Sequence, residues 1–299
     1  MWLALAFLSA ALLGLYDVSK KQALKDNAVI PVLFFNTFFS MLIFFPLITM
    51  SVVSNVLDDT ILYVPMCGWE VHKYIILKAV IVLSSWIFGY FGMKHLPITI
   101  VGPINATRPI MVLLGALLLF GERLNGYQWV GVLLAIVSFM LLSRSGKKEG
   151  IDFRHNRWIY FVVLSSLLGA VSALYDKFLM QRFDSMVVQS WFTVYQFFIM
   201  SVLVLVLWAP TRHKTTPFHW SWAIPLISIF LSVADFAYFT SLAQEDSLIS
   251  VVSMVRRGSV VVSFLCGALL FREKNLRSKA LDLLLVLLGM LFLYWGSHG

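Results

Sequence analysis

The chain has 299 residues, of which 60% are hydrophobic and only 13% charged, and its mean hydropathy is +0.86. A water-soluble chain carries roughly a quarter of its residues charged, so this composition excludes a soluble globular protein and indicates a polytopic membrane protein. The net charge of +8 does not indicate nucleic acid, because the basic residues are scattered at segment ends without any RNP, zinc-finger or basic-helix pattern; the expected partner is the lipid bilayer.

A helix needs about 20 mostly apolar residues to cross the hydrocarbon core. That length predicts ten spans, at about 2–20, 29–49, 74–93, 97–119, 126–143, 157–180, 187–209, 221–243, 247–271 and 279–296. In the first, "MWLALAFLSAALLGLYDVSKK", the positive charges follow the apolar run, which predicts a retained span and not a cleaved signal. The largest gap, 50–73, reads as a loop or a short interfacial piece. Cys67 and Cys266 have no motif spacing and read as packing residues.

The chain also echoes itself. "GLYDVSKKQAL" (14–24) returns as "ALYDKFLMQRF" (173–183), "FGYFGMKHL" (88–96) as "FAYFTSLAQ" (236–244), and "GALLLFGER" (115–123) as "GALLFREK" (267–274). Each half holds five spans, residues 1–145 and 155–299, joined by a basic linker at 146–154. Five is odd, so the second half must enter the membrane upside down relative to the first, as in secondary transporters built from inverted repeats. The predicted fold is therefore all-α and integral to the membrane, with ten helices in two inverted five-helix repeats.

Two five-helix copies, each with a "GALL" run followed by glutamate, resemble the EamA family of the drug/metabolite transporter superfamily. The block at 97–142, with Pro109, Glu122-Arg123 and Gly131, carries the resemblance best. The second copy departs from it, with Gly258 near the place of Pro109 and Asp282 where a glycine is expected. The resemblance implies a carrier but does not name its cargo, since a fold does not settle a substrate.

Arg108-Pro109 and Arg257-Gly258 occupy corresponding mid-span places in the two halves. A charge at the bilayer centre is costly, and a proline or glycine break frees backbone groups that only protein or a water-filled cavity can satisfy. Paired interruptions of this kind point to a transporter site. The predicted reading is that Arg108 and Arg257 face a cavity and contact a carboxylate or phosphate; the competing reading is structural ion pairs. Arg256 cannot share a helical face with Arg257, so one of the two pairs internally. Asp235 is the only acid in the middle of a span: it either contacts substrate or a coupling proton, or neutralises Arg256 or Arg257.

Trp86, Tyr90 and Tyr238 are the aromatic candidates for the cavity wall, and Asn105 is the polar one. Asn36 and Gln196 either touch cargo or join helices. Tyr16-Asp17 and Tyr175-Asp176, the repeated "LYD", are candidate gates at opposite ends; the plainer alternative bonds the acids to Lys20 and Lys177. Glu122 and Glu273 read as structural.

The predicted function is a secondary carrier that exports or exchanges a small polar metabolite by alternating access. It would use no cofactor and no metal, and its other partner would be a coupling proton or an exchanged metabolite. No P-loop is present. An intramembrane enzyme would need clustered carboxylates or a nucleophile with a base, and the sequence offers neither; a non-transporting scaffold would not need mid-span arginines. Fifteen of the 23 basic residues fall in loops 1–2, 3–4, 5–6, 7–8 and 9–10, which by the positive-inside rule puts both termini outside, whereas the resemblance implies termini inside. Compact loops predict a bacterial inner membrane.

Overall fold

A computed structural model describes residues 2–96, 101, 104–105, 108–119, 121, 125–147, 156–214, 216–270, 284–285, 287–289, 291–292 and 295–296. Its regular elements are helices: α1 (Trp2–Leu24), α2 (Val29–Val53), α3 (Trp69–His95), α4 (Arg108–Leu119), α5 (Gly126–Lys147), α6 (Arg157–Met180), α7 (Ser185–Leu203), α8 (Ala223–Leu242), α9 (Ile249–Arg257) and α10 (Ser259–Leu270). Six stretches among the described residues are long and apolar enough to cross a membrane: α1, α2, α3, α6, α7 with its extension to Thr211, and α8. Glu122, Arg123, Glu273, Asp282 and most of the 146–154 linker lie outside the described residues.

Local chemistry sets the helix ends. The Asn156 side chain accepts from the Trp158 amide at the start of α6 (2.9 Å). Asp184 accepts from the amides of Met186 (2.8 Å) and Val187 (3.1 Å) at the start of α7. Both fill donors that a helix N-terminus leaves open. At its other end α7 widens into a π-turn over Val204–Trp208. The third helix starts at Trp69, five residues before the span expected from hydropathy, because Trp69, Glu70, His72 and Lys73 form a polar, partly exposed first turn that an apolar window skips. Within the stretch expected as a loop, 50–73, only residues 54–68 leave the helices, with a 3₁₀ turn at Asn55–Leu57.

The most extensive interfaces are α1 with α8 and α3 with α6. The "LYD" echo makes α1 the counterpart of α6, and the "FGYF/FAYF" echo makes α3 the counterpart of α8, so these are one interface formed twice. The same exchange relates α2–α8 to α3–α7, and α1–α10 to α4–α6. Lipid tails are as apolar as leucine, so such contacts depend on close approach and cross-helix hydrogen bonds. Both are present. Ser9 Oγ donates to the Ala234 carbonyl (2.7 Å) and Ser241 Oγ to that of Trp2 (2.8 Å), joining α1 to α8. Ser85 Oγ donates to the Ser165 carbonyl (2.8 Å), joining α3 to α6. Asn36, in α2, accepts from Ser228 of α8 at 3.0 Å, so it joins helices.

The two ends of the bundle differ in charge. At one, Asn27 Nδ2 donates to the His219 carbonyl (2.6 Å), Lys94 Nζ to Thr216 Oγ1 (2.6 Å), and His95 stacks on Trp158 at 3.7 Å. This end gathers Lys21, Lys25, Lys94, Arg157, Arg212 and Lys214 beside Asp26, whereas the other carries Asp58, Asp59, Glu70, Asp184, Glu245 and Asp246 beside Lys73 and Arg182. The sequence count placed Lys20, Lys78 and Lys177 at segment ends. The structure corrects this: all three are buried within the bundle, where each has polar partners.

At Gly14, α1 comes close to α10. A Cβ there would stand 2.9 Å from the Ser259 carbonyl oxygen and 2.8 Å from Val262 Cγ1. Gly14→Ala is therefore expected to lower stability in detergent by about 1–3 kcal/mol, the usual cost of overpacking. Gly126→Ala, where nothing lies within 4 Å, is expected to be neutral or slightly stabilising. Thermal denaturation of the two purified variants checks both.

Candidate functional site

Between the two halves lies a cavity of about 200 Å³. Arg108, Arg257, Asn105, Trp86, Tyr90, Tyr238 and Asp235 all line it, so the seven residues proposed from sequence as substrate contacts share one space. Tyr16, Asp17 and Asp176 line it as well. Tyr175 does not. Successive residues on a helix point about 100° apart, and with Asp176 on the cavity side Tyr175 turns outward, its hydroxyl donating to the Tyr74 carbonyl (3.2 Å).

Three carboxylates in the wall each hold one cation. Lys20 Nζ donates to Asp17 at 2.6 Å. Arg256 Nη2 donates to Asp235 at 2.8 Å, with its guanidinium carbon 3.8 Å from the centre of the Tyr238 ring. Asp235 thus neutralises Arg256, the pairing that one of its two expected readings named. Lys78 donates to Asp176, closing an ion pair between α3 and α6. The plainer sequence reading had paired Asp176 with Lys177, and this is corrected. Lys177 leaves the same helix in another direction and donates to the Ser247 carbonyl and hydroxyl at 2.7 Å.

The two ends of the cavity differ in how firmly they are closed. Lys78 is 2% exposed, and its ammonium lies 4.5 Å from the Phe192 ring centre and 4.6 Å from that of Phe239. A cation clamped between aromatic faces and a carboxylate is desolvated yet compensated. Nearer the basic end, Asp17 is 29% exposed against 8% for Asp176, so this end is the more open. There the hydroxyls of Tyr16 and Tyr90 meet at 3.2 Å, with Lys20 Nζ 4.3 Å from the Tyr16 ring centre.

Arg108 and Arg257 remain. Arg108 lies flat against α6 at Gly169, where a Cβ would collide with its guanidinium. Among the described residues it makes one long bond, Nη2 to the Ser165 carbonyl at 3.4 Å, and its Nε has no partner. Nε of Arg257 is likewise buried without a partner. Neither arginine has a carboxylate partner among the described residues. Gly258 interrupts the helix behind Arg257, with α9 ending at Arg257 and α10 beginning at Ser259. Pro109 is the second residue of α4 as described; residues 106 and 107 lie outside the described residues. Asn105 accepts from Ser166 Oγ at 2.9 Å, tying its wall to α6. Gln196 is buried away from the cavity.

The sequence missed Lys20 and Lys78 as cavity residues. The signal was present for Lys78: nine residues beyond Trp69 place it about 13 Å into α3. Among the described residues no three His, Cys, Asp or Glu side chains gather to hold a metal ion. Cys67 is free, and burial pushes its thiol up in pKa, as befits a packing residue.

The model of the EamA-like transporter family matches residues 1–144 and again residues 156–295. The chain belongs to the EamA family. It is thus a multi-pass integral membrane protein of the drug/metabolite transporter superfamily. Among solved structures, one crystal structure is similar to this EamA chain at 15% identity and a TM-score of 0.69, over 97% of this chain and 96% of that one; at that identity the likeness speaks for the fold alone. No curated protein sequence matches the chain.

Two predictions follow from the geometry of this EamA cavity. Asp176→Asn leaves a lysine buried without its carboxylate and is expected to cost about 3–5 kcal/mol, whereas Lys78→Met with Asp176→Leu recovers most of that loss; denaturation of the single and double variants measures both. Gly169→Ala displaces the Arg108 guanidinium while leaving the α3–α6 contact in place. The expected result is an unchanged melting temperature to within a few degrees and the loss of any ligand-induced stabilisation that depends on Arg108.

Proposed function

We propose that the chain is a secondary carrier of the bacterial inner membrane, built of ten helices in two inverted repeats. It exports or exchanges a small polar metabolite bearing an acidic group, by rocking of one half against the other around the cavity. The observation that carries this reading is the pair of guanidiniums at corresponding places in the two halves, Arg108 and Arg257, which reach one cavity without a carboxylate partner among the described residues. Arginine's planar fork suits carboxylate and phosphate better than an ammonium does. The matched interfaces α1–α8 and α3–α6 support the inverted arrangement, because each joins one half to the other.

The asymmetry of the two cavity ends supports alternating access. Asp17 and Asp176 are repeat counterparts, and each holds a lysine near its own end of the cavity. In the conformation described, the Lys78–Asp176 end is shut and the Asp17–Lys20 end is looser. Opening the shut end requires the Lys78–Asp176 pair to separate, since its members sit on α3 and α6, one from each half.

The test is transport by the full-length protein reconstituted into liposomes, with a panel of labelled amino acids, organic acids, phosphorylated sugars, nucleosides and cationic drugs. Acidic compounds are expected to be taken up. Arg257→Gln is expected to reduce that uptake about a hundredfold, the order that an unpaired charge in a desolvated site costs, with thermal stability retained. Uptake confined to cationic or neutral compounds and indifferent to Arg257→Gln would make the arginine structural and overturn the proposal.

A further inference from the structure

The charges in the wall of the cavity limit the charge of its occupant. Among the described residues five cations line it, Lys20, Lys78, Arg108, Arg256 and Arg257, against three carboxylates, Asp17, Asp176 and Asp235. Each carboxylate is paired with a different cation, so two positive charges are left over, and both are arginines. Arg108 stands on α4 and Arg257 at the end of α9, helices that pack on each other. Of the five N–H groups on the Arg108 guanidinium, one makes a 3.4 Å bond to the Ser165 carbonyl. Nε of both arginines, like that of the paired Arg256, is buried without a partner among the described residues. Two desolvated like charges on packed helices are costly until an anion lies between them.

From this surplus, and resting on the carrier reading above, we infer that the cargo is a small dianion that Arg108 and Arg257 bind together, one arginine from each half. A dicarboxylate and a phosphate monoester share this chemistry. One dianion brings the net charge of the wall to zero, whereas a monoanion leaves one guanidinium uncompensated. Because the two arginines come from different halves, the ligand also bridges the surfaces that must move past each other.

Isothermal titration of the purified full-length protein in detergent, at pH 7.5 and constant ionic strength, tests the inference. The probes are succinate, glycerol 3-phosphate, butyrate as a monoanion of similar size to succinate, and alanine as a zwitterion. One dianion is expected to bind per chain, at least about tenfold more tightly than butyrate, the order of one charge-assisted hydrogen bond. Arg108→Gln and Arg257→Gln are each expected to weaken it by about tenfold or more, with Arg108→Lys and Arg257→Lys restoring part of the affinity. Binding of succinate alone, of glycerol 3-phosphate alone or of both supports the inference and identifies the source of the charge. Butyrate binding as tightly as succinate, or two butyrates per chain, overturns the dianion and leaves the anion carrier standing. If no anion binds to a wild-type protein that melts cooperatively, both readings fall. If either glutamine variant does not fold, its lysine variant and Gly169→Ala carry the comparison; unchanged dianion affinity in Gly169→Ala removes Arg108 from the site.

Discussion

Charge compensation inside an apolar bundle is the constraint on which the rest of the molecule depends. Lipid offers no partner for a guanidinium, an ammonium or a carboxylate. Charged groups within the spans therefore turn inward, and the helices that bear them must meet around a common space. Lys78 of α3 reaches Asp176 of α6, and Arg256 of α9 reaches Asp235 of α8. These pairs stand beside the serine-to-carbonyl bonds that fasten α3 to α6 and α1 to α8. The glycines allow the approach: Gly14 admits α10 to α1, and Gly169 leaves room for Arg108 on α6.

Much of this was legible in the sequence, for physical reasons that differ from residue to residue. A charge in the middle of an apolar run can only face inward, so Arg108, Arg257 and Asp235 announced the cavity before any coordinates. The repeated "LYD" and "FGYF/FAYF" segments paired α1 with α6 and α3 with α8, and the interfaces follow that pairing. Lys78 and Lys20 were not legible in the same way. Each lies near the edge of a hydropathy window, where a lysine ordinarily snorkels to the headgroups, and only the true start of α3 at Trp69 brings Lys78 into the interior. The partner of Asp176 was equally hidden, because sequence proximity favoured Lys177 while helical direction gave it to Lys78. Tyr175 shows the same limit: a dipeptide motif names two residues, but a helix sends them to different sides.

Among the described residues, the three ion pairs of the cavity wall and the two arginines without a carboxylate have different places in the molecule. The Lys78–Asp176 and Arg256–Asp235 pairs join separate helices and are largely shielded from solvent, so they act as ties. Asp17 and Lys20 sit one turn apart on α1, with Asp17 more exposed than Asp176 or Asp235; this pair does not tie helices together. Arg108 has one long bond to α6, and neither it nor Arg257 is in an ion pair among the described residues. Their placement by Gly169 and by the interruption at Gly258 is positional, and those two glycines matter for where a charge points.

The outer surface bears on how the stability of such a bundle is to be understood. Phe7, Phe45, Leu77, Val163, Leu205 and Leu226 each lie more than two-fifths exposed on the outward side of their helices. In a bilayer these side chains are already solvated by hydrocarbon. Separating two helices thus exchanges protein–protein dispersion for protein–lipid dispersion, and the entropic penalty of wetting apolar surface, which holds soluble folds together, is absent. The reference state for losing tertiary structure is a set of intact helices dispersed in lipid, not an extended chain in water. The usual conversion of about 25 cal/mol per Å² of buried apolar area has no purchase on the contacts between α1 and α8 or α3 and α6. What distinguishes the assembled bundle from its dispersed helices is fit and polarity: a glycine where a methyl would not go, a serine that finds a carbonyl, and a lysine whose only acceptable neighbour is an aspartate on another helix.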